Sequence, residues 1–122
     1  MLDHLTLHVK NLEESKAFYL KALEPIAYEK LLEFPGCAGL GAKKKADLWL
    51  AESKECSPFH LAFRGESCEE VDAFYAAAIE AGGKCNGKPG PREIYHPGYY
   101  GAFVIDPDGY NIEVCFHNYV KK

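Results

Sequence analysis

The sequence contains an internal repeat whose two copies cover about a third of its length. Residues 4–24 match residues 60–80 at a constant offset of 56 without a gap, with nine identities in 21 aligned positions. The shared residues are His, Leu, Glu-Glu, Ala-Phe-Tyr, Ala and Glu, in the same order and spacing. A repeat of this kind predicts that the chain consists of two copies of one structural unit.

Each copy begins with alternating apolar and polar residues, the pattern of a β-strand that buries one face. The alternation covers residues 4–9 in the first copy and residues 59–64 in the second. A histidine opens the polar face of each strand, His4 in the first copy and His60 in the second. We therefore expect these two histidines at equivalent positions in the two units.

A helix is predicted to follow the strand in each copy. Asn11 and Ser67 both precede a glutamate by three residues, which is the spacing of a helix N-cap and its partner. Apolar residues then recur at helical spacing over residues 12–23 and 68–81, and two glycines follow the second segment. The repeated unit thus starts with a strand and a capped helix.

Short strands and turns are predicted for the remaining segments. Alternation and strand-forming residues indicate four further strands, at residues 25–34, 46–52, 100–106 and 110–116. The DPDG sequence between the last two strands is typical of a hairpin turn with glycine in the left-handed conformation.

The two halves together predict an α+β fold. Residues 83–100 are rich in Gly and Pro and are predicted to form a long loop with one short strand. Each half then forms a βαβββ module, with boundaries near residues 1–53 and 57–122. We expect one domain over residues 1–122, in which the two modules form a curved mixed sheet around a cavity.

Composition excludes several functional classes. The 122 residues carry a formal charge of −4, with an isoelectric point of about 5.7, whereas a nucleic-acid-binding protein would show a basic stripe. The sequence has no apolar run long enough for a membrane span. Five cysteines without a CxxC pair, and an N-terminus without a secretory signal pattern, predict a cytoplasmic protein.

One carboxylate lies among strand-forming apolar residues. Glu113 occupies the middle of residues 110–116, where burying its charge is costly without a compensating partner. If the apolar strand faces pack on the helices, Glu113 faces the cavity together with His4 and His60. Two imidazoles and one carboxylate are the 2-His-1-carboxylate set of catalytic metal sites, which leaves coordination positions open. Simpler alternatives are a pair of structural histidines and a carboxylate that pairs with Arg64.

His8 cannot bind the same metal as His4. Four residues of a strand span about 13 Å, which is too far for one ion. His8 and Arg64 occupy equivalent positions in the repeat, and Asn111 shares the face of Glu113. We predict His8, Arg64 and Asn111 as substrate contacts, and a hydrogen-bonded wall residue is the alternative for His8.

The motifs of the two modules resemble one protein family. The doubled βαβββ unit with DHLTLHV, FHLAF and DPDGYNIEV resembles the glyoxalase / bleomycin-resistance / extradiol-dioxygenase superfamily, the vicinal oxygen chelates. The DPDG-x-x-I-E element is the most specific part, and the likeness covers nearly the whole chain. It implies metal ligands on strands 1, 5 and 8, which match His4, His60 and Glu113. It also implies a divalent metal (Fe, Ni, Zn, Mn or Co) and a homodimer, with the site in one chain or across two.

The sequence departs from glyoxalase I at one ligand. That enzyme has a fourth ligand, a Glu on strand 4, where superposition here gives Trp49 or Leu50, with Asp47 and Glu52 out of register. The departure argues against methylglyoxal isomerisation. We interpret Trp49 as a cavity-wall residue that contacts substrate.

Two loop segments have features of ligand-binding loops. Residues 91–100 are predicted to cover the cavity mouth, with Arg92, His96 and Tyr100 contacting an anionic or aromatic substrate. A loop packed by its own aromatic residues is the alternative. The GCAGLGAKKK segment nearly matches a phosphate-binding loop, but its lysine is displaced and no Ser or Thr follows. Nucleotide binding is therefore rejected.

Two main functions follow from these features. The first is a metal-dependent enzyme of lyase, isomerase or dioxygenase type, lactoylglutathione-lyase-like or dioxygenase-like. Its metal would polarise two neighbouring oxygens of a small substrate and stabilise the resulting anion. The second is a bleomycin-resistance-like protein that binds a small planar molecule without metal. A regulatory or scaffold role with an empty cavity is a third, weaker candidate, and no catalytic residue is assigned.

Overall fold

The computed structural model describes residues 2–121, and each half of the chain forms a βαβββ unit, as predicted. The first half contains β1 (Leu5–Val9), α1 (Leu12–Ala22), β2 (Glu29–Phe34), β3 (Cys37–Gly41) and β4 (Leu48–Glu52). The second half contains β5 (His60–Arg64), α2 (Cys68–Glu80), β6 (Lys84–Pro91), β7 (Tyr100–Ile105) and β8 (Asn111–Phe116). The α+β class and the doubled module are confirmed.

Both helices begin at the predicted caps. The side chain of Asn11 accepts a hydrogen bond from the backbone N–H of Glu14 at 2.9 Å. Ser67 does the same for Glu70 at 3.1 Å. Each bond satisfies one of the unpaired donors of a first helical turn, so the repeat preserves the cap as well as the sequence.

The eight strands form two sheets of four. The strand order is β1-β4-β3-β2 in the first sheet and β5-β8-β7-β6 in the second. In each sheet the first and last strands of the module (β1 with β4, β5 with β8) pair in parallel. The other pairs are antiparallel. Within residues 2–121 the sheets are not closed, and hydrogen bonds do not join them into one continuous sheet.

A shared core joins the two modules. One cluster of buried side chains includes Phe18 of α1, Phe74 of α2, Leu7 of β1 and Ile112 of β8. The apolar strand faces therefore pack on the helices, and the modules bury their apolar surface through this cluster rather than by strand pairing. The opposite faces of β1, β5 and β8 carry the predicted polar residues His8, His60 and Glu113.

Two strands differ from the sequence-based prediction. β3 was not predicted, because glycines are typical of loops. The structure requires glycine at position 39 for packing, since a Cβ there would lie 2.9 Å from the indole of Trp49. β6 is longer than the short strand expected, because its prolines are tolerated at a sheet edge and register shifts absorb its irregularity.

The DPDG turn is confirmed and is tied to the first helix. The Asp106 carboxylate accepts backbone hydrogen bonds from Asp108 and Tyr110, both at 2.8 Å. Gly109 has φ +94°, the left-handed conformation that favours glycine. Tyr19 of α1 donates its hydroxyl to Asp106, so the turn that leads into β8 is fixed to the first module.

The longest helix in residues 2–121, α2, has 13 residues. No helix in this part of the chain is long and apolar enough to cross a bilayer, which requires about 20 residues. All five cysteines are free thiols.

Candidate functional site

Glu113 lies in the middle of β8 on the sheet face opposite the helices. Its neighbours Ile112 and Val114 are fully buried in the core, as the alternation predicted. Glu113 itself is only 2% exposed, since other side chains cover it. Its Oε1 lies 2.9 Å from Nε2 of His60 on the adjacent strand. The strand carboxylate therefore meets one of the two predicted histidines.

The other ring nitrogen of His60 identifies its tautomer. Nδ1 lies 3.1 Å from the backbone oxygen of Asn111, and because a carbonyl only accepts, Nδ1 carries a proton. In the neutral imidazole Nε2 then holds a lone pair, which is directed at Glu113 Oε1. Two lone-pair atoms this close require a positive charge between them, either a proton or a cation. An N–H donated to a main-chain carbonyl is also how metal-binding histidines are commonly oriented.

The second carboxylate oxygen of Glu113 accepts a hydrogen bond from Tyr99. The tyrosine hydroxyl donates to Oε2. Burial raises the pKa of Tyr99, and the bond to Glu113 raises that pKa further, so the phenol stays a donor. The ring fits because residue 101 is glycine: a Cβ there would lie 3.0 Å from Glu113 Oε2 and 3.2 Å from Tyr99 Cε1. Each oxygen of Glu113 thus has its own partner.

Further predicted residues lie beside this pair. The ring of Phe103 stacks on His60 with centroids 5.9 Å apart, and Arg92 lies over Phe103 at 5.6 Å from the ring centroid. The Arg92 guanidinium also donates to three backbone carbonyls of β6. Arg92 is thus separated from His60 by the Phe103 ring, and the side-chain oxygen of Asn111 accepts a hydrogen bond from Asn86 at 3.1 Å. That the two residues bind a ligand stays a prediction.

His96 lies next to the site rather than in it. Its Nδ1 is 2.7 Å from the backbone oxygen of Pro97, and its Nε2 is 3.0 Å from Nδ1 of His117. The other nitrogen of His117 lies 3.7 Å from the sulfur of Cys115, whose pKa is raised by burial. A line of polar side chains therefore runs from β8 to the loop between β6 and β7.

His4 does not join His60 and Glu113 within one chain. It precedes β1, is exposed, and has its Nδ1 2.7 Å from Asp3. It lines a cavity of about 230 Å³ that is also lined by Arg64 and Tyr28. Among residues 2–121 no three His, Cys, Asp or Glu side chains are grouped closely enough to hold a metal ion.

His8 and Trp49 lie on the exposed face of the first sheet. The backbone oxygen of His8 accepts a hydrogen bond from Tyr110 at 2.9 Å, and its side chain is exposed. Trp49 is half-buried and stacks on Phe34 with centroids 6.3 Å apart. The first sheet thus carries aromatic side chains where the second sheet carries the carboxylate.

Tyr100 points away from the site. Tyr99, rather than Tyr100, lies against Glu113. The Tyr100 hydroxyl donates to Asp72 of α2 at 2.7 Å. Because β7 alternates, Tyr100 shares the helix-facing side with the buried Ala102 and Val104, and Tyr99 faces Glu113. The same alternation was visible in the sequence and could have identified Tyr99. His117 carries no comparable sequence signal.

The chain matches one family model along most of its length. Residues 1–114 match the model described as Glyoxalase/Bleomycin resistance protein/Dioxygenase superfamily. A comparison with curated proteins finds no match.

Solved structures with the same fold support that match. A glyoxalase/bleomycin resistance protein from Albidiferax ferrireducens T118 superposes with a TM-score of 0.79 at 26% identity, over 93% of this chain and 96% of that one. A putative glyoxalase from Bacillus halodurans gives a TM-score of 0.73 at 26% identity, over 95% of each chain. A lactoylglutathione lyase from Agrobacterium tumefaciens gives 0.71 at 18% identity, over 95% and 92%, and supports the fold alone. The chain therefore belongs to the Glyoxalase/Bleomycin resistance protein/Dioxygenase superfamily.

Proposed function

We propose that the protein is a divalent-metal-dependent enzyme of lyase, isomerase or dioxygenase type that acts on a small oxygen-chelating substrate. The observation that carries this proposal is the 2.9 Å approach of His60 Nε2 to Glu113 Oε1. In the neutral imidazole, the proton on Nδ1 of His60 leaves both approaching atoms with lone pairs, and a shared cation would satisfy both. An imidazole nitrogen and a carboxylate oxygen fit Fe, Ni, Zn, Mn or Co.

His60 and Glu113 would hold the ion, with His4 as the third ligand. Since His4 is not grouped with them in one chain, we propose that a second copy of the chain supplies it and that the protein is a homodimer. Apolar side chains on the exposed edge of the first sheet support a partner surface: Phe34 is 53% exposed and Leu32 is 46% exposed. The shared core of the two modules supports a single domain over residues 1–122.

The side chains around the pair have distinct parts in the proposed activity. A divalent ion, when bound, would act as a Lewis acid on two neighbouring substrate oxygens. The backbone oxygen of Asn111 holds the His60 ring in the orientation that directs Nε2 at Glu113 Oε1, and Tyr99 covers the other oxygen of Glu113. The cation of Arg92 lies beside His60 across Phe103, where it would bind an anionic group of the substrate.

Five other predicted contacts are farther from the pair. Arg64 lines the same cavity as His4. In the dimer, Arg64 would contact the substrate together with His8 and Trp49 of the first sheet. His96 belongs to the loop over the site, whereas Tyr100 faces α2 and keeps only a structural part in this proposal. Free cysteines fit the reducing cytoplasm proposed as its location.

Metal titration tests this proposal. Protein stripped by a chelator is titrated calorimetrically with Zn²⁺, Ni²⁺, Mn²⁺ and Co²⁺, and with Fe²⁺ under anaerobic conditions. We expect one ion per chain, and His60→Ala or Glu113→Gln should weaken binding more than about 100-fold, because even outer partners of a ligand contribute 10–100-fold. His117→Ala, which alters a nearby imidazole, should leave the affinity unchanged. Absence of binding in the unmodified protein would refute the proposal.

Metal-free binding of a small planar molecule is the alternative. The same 2.9 Å distance is that of an ion pair between a protonated imidazole and a carboxylate. Elemental analysis of protein purified without chelators separates the two functions. A stoichiometric divalent metal supports the enzyme, and its absence together with ligand binding that survives His60→Ala supports the binding protein.

A further inference from the structure

We infer that Tyr99 is a positioning residue that makes Glu113 a one-oxygen ligand and so determines which divalent ion the site prefers. This inference rests on the proposed metal site. It concerns a residue whose part was not evident from the sequence motifs, since those motifs end at Glu113 and do not include the loop between β6 and β7.

The two oxygens of Glu113 are in different environments. Oε2 accepts the hydroxyl of Tyr99, and Oε1 approaches His60 Nε2 at 2.9 Å. With Oε2 engaged by the Tyr99 hydroxyl, only Oε1 is available to a cation. The carboxylate would therefore bind through one oxygen, with its plane fixed by the bond to Tyr99.

Backbone contacts hold Tyr99 in place. Its carbonyl accepts a hydrogen bond from the backbone N–H of Arg92 at 2.9 Å, and its own backbone N–H donates to the backbone oxygen of His96 at 3.2 Å. Gly98, with φ +93°, lets the loop turn, and a Cβ there would lie 2.7 Å from the backbone oxygen of His117. The backbone oxygen of Gly98 also accepts from Tyr119 at 2.9 Å. The loop is thus tied to the C-terminal segment, and the Tyr99 hydroxyl has little freedom to leave Glu113.

A one-oxygen carboxylate favours some ions over others. Zn²⁺ takes four ligands from imidazole and carboxylate groups with no need for a second carboxylate oxygen. Mn²⁺ prefers six oxygen-rich ligands, so it gains more from a carboxylate that binds through both oxygens. Removing the Tyr99 hydroxyl would release Oε2 and reduce the preference for Zn²⁺ over Mn²⁺.

Competitive metal titration of Tyr99→Phe tests the inference. We expect the zinc affinity to fall about 10-fold to 100-fold and the ratio of zinc to manganese affinity to fall with it. Tyr100→Phe is the matched control, because it removes a neighbouring hydroxyl that also donates to a carboxylate, that of Asp72. It should leave both affinities unchanged. Thermal melting of the metal-free variants checks that each is folded.

A second variant, at Gly101 of β7, disturbs the same contact between Tyr99 and Glu113. Gly101→Ala places a methyl group against Oε2 and the Tyr99 ring, and it should change the metal ratio in the same direction. A zinc-to-manganese ratio that is unchanged in both folded variants overturns the inference while the metal site stands. Lack of metal binding in the unmodified protein overturns the proposed function, and this inference with it.

Discussion

Trp49 and Glu113 occupy equivalent positions in the two modules. Trp49 on β4 pairs with Thr6 on β1, and Glu113 on β8 pairs with Ala62 on β5; Thr6 and Ala62 are related by the repeat offset of 56. The indole lies over Gly39 of the neighbouring strand and stacks on a phenylalanine. The modules have diverged at this position, so the first sheet offers a histidine but no matching carboxylate.

Replacing that indole with a carboxylate should strengthen metal binding. In Trp49→Glu a fourth ligand lies on the same sheet as His4, and we expect the metal affinity to rise about tenfold, a gain of ~1.4 kcal/mol. The variant should also melt at a lower temperature, because the stacking on Phe34 is lost. Calorimetric titration measures the first effect and thermal melting the second.

Trp49→Ala is the control for that substitution. It removes the same stacking without adding a ligand, so it should share the loss in melting temperature and leave the metal affinity near that of the unmodified protein. Equal affinities for the Glu and Ala variants would mean that position 49 does not face the metal.

A mixed dimer tests whether the site is built across two chains. One chain carries His4→Ala and the other Glu113→Gln, each with a different affinity tag so that the mixed dimer can be purified. If His4 comes from the partner, one of the two sites keeps an intact set of three ligands, and the mixed dimer should bind one ion tightly per two chains.

The parent dimers provide the comparison. Each has both sites damaged and should bind weakly at both. If the mixed dimer is as weak as its parents, the ligands do not come from two chains and the dimeric site is wrong.

Tyr19 should stabilise the fold in a pH-dependent way. Burial raises the pKa of Asp106, and the Tyr19 hydroxyl opposes that rise by donating to the carboxylate. Tyr19→Phe should therefore raise the pKa of Asp106 further and cost about 1–3 kcal/mol when the carboxylate is ionised. The cost should be greatest near pH 7 and should shrink as the pH falls through the raised pKa of folded Asp106, which lies above the usual value of 3.8.

Tyr110→Phe is the matched control for this pH dependence. The hydroxyl of Tyr110 is also buried in the turn region but donates to the backbone oxygen of His8, which does not titrate. Urea unfolding at pH 7 and pH 3 should give a smaller cost at pH 3 for Tyr19→Phe and a constant cost for Tyr110→Phe. The same change with pH in both variants would refute the assigned contact.

The sequence predicted most of the fold, because the repeat and the strand alternation are local patterns. Asn11 and Ser67 cap their helices as expected, and Ile112 and Val114 enter the core on either side of Glu113. β3 was missed because its glycines are required by packing against Trp49, which is a long-range contact that no local pattern reveals.

The candidate site was predicted only in part. Equivalence in the repeat correctly paired His4 with His60 as homologous positions, but homologous residues of two separate sheets need not meet, and only His60 contacts Glu113. The alternation of β7 extended back by one residue identifies Tyr99, but residues 91–100 were predicted to form a loop, and Tyr100 was named instead. The contact between Tyr99 and Glu113 depends on where that loop folds back.

X-ray absorption of the zinc-loaded protein is the decisive measurement for a metal held by His60 and Glu113, because it reports the atoms bound to the ion. We expect a shell of nitrogen and oxygen at about 2.0–2.1 Å with imidazole scattering, and no sulfur. The imidazole signal should fall in His60→Ala and remain in Cys115→Ala. A sulfur neighbour at about 2.3 Å, or a spectrum that His60→Ala leaves unchanged, would contradict a metal held by His60 and Glu113.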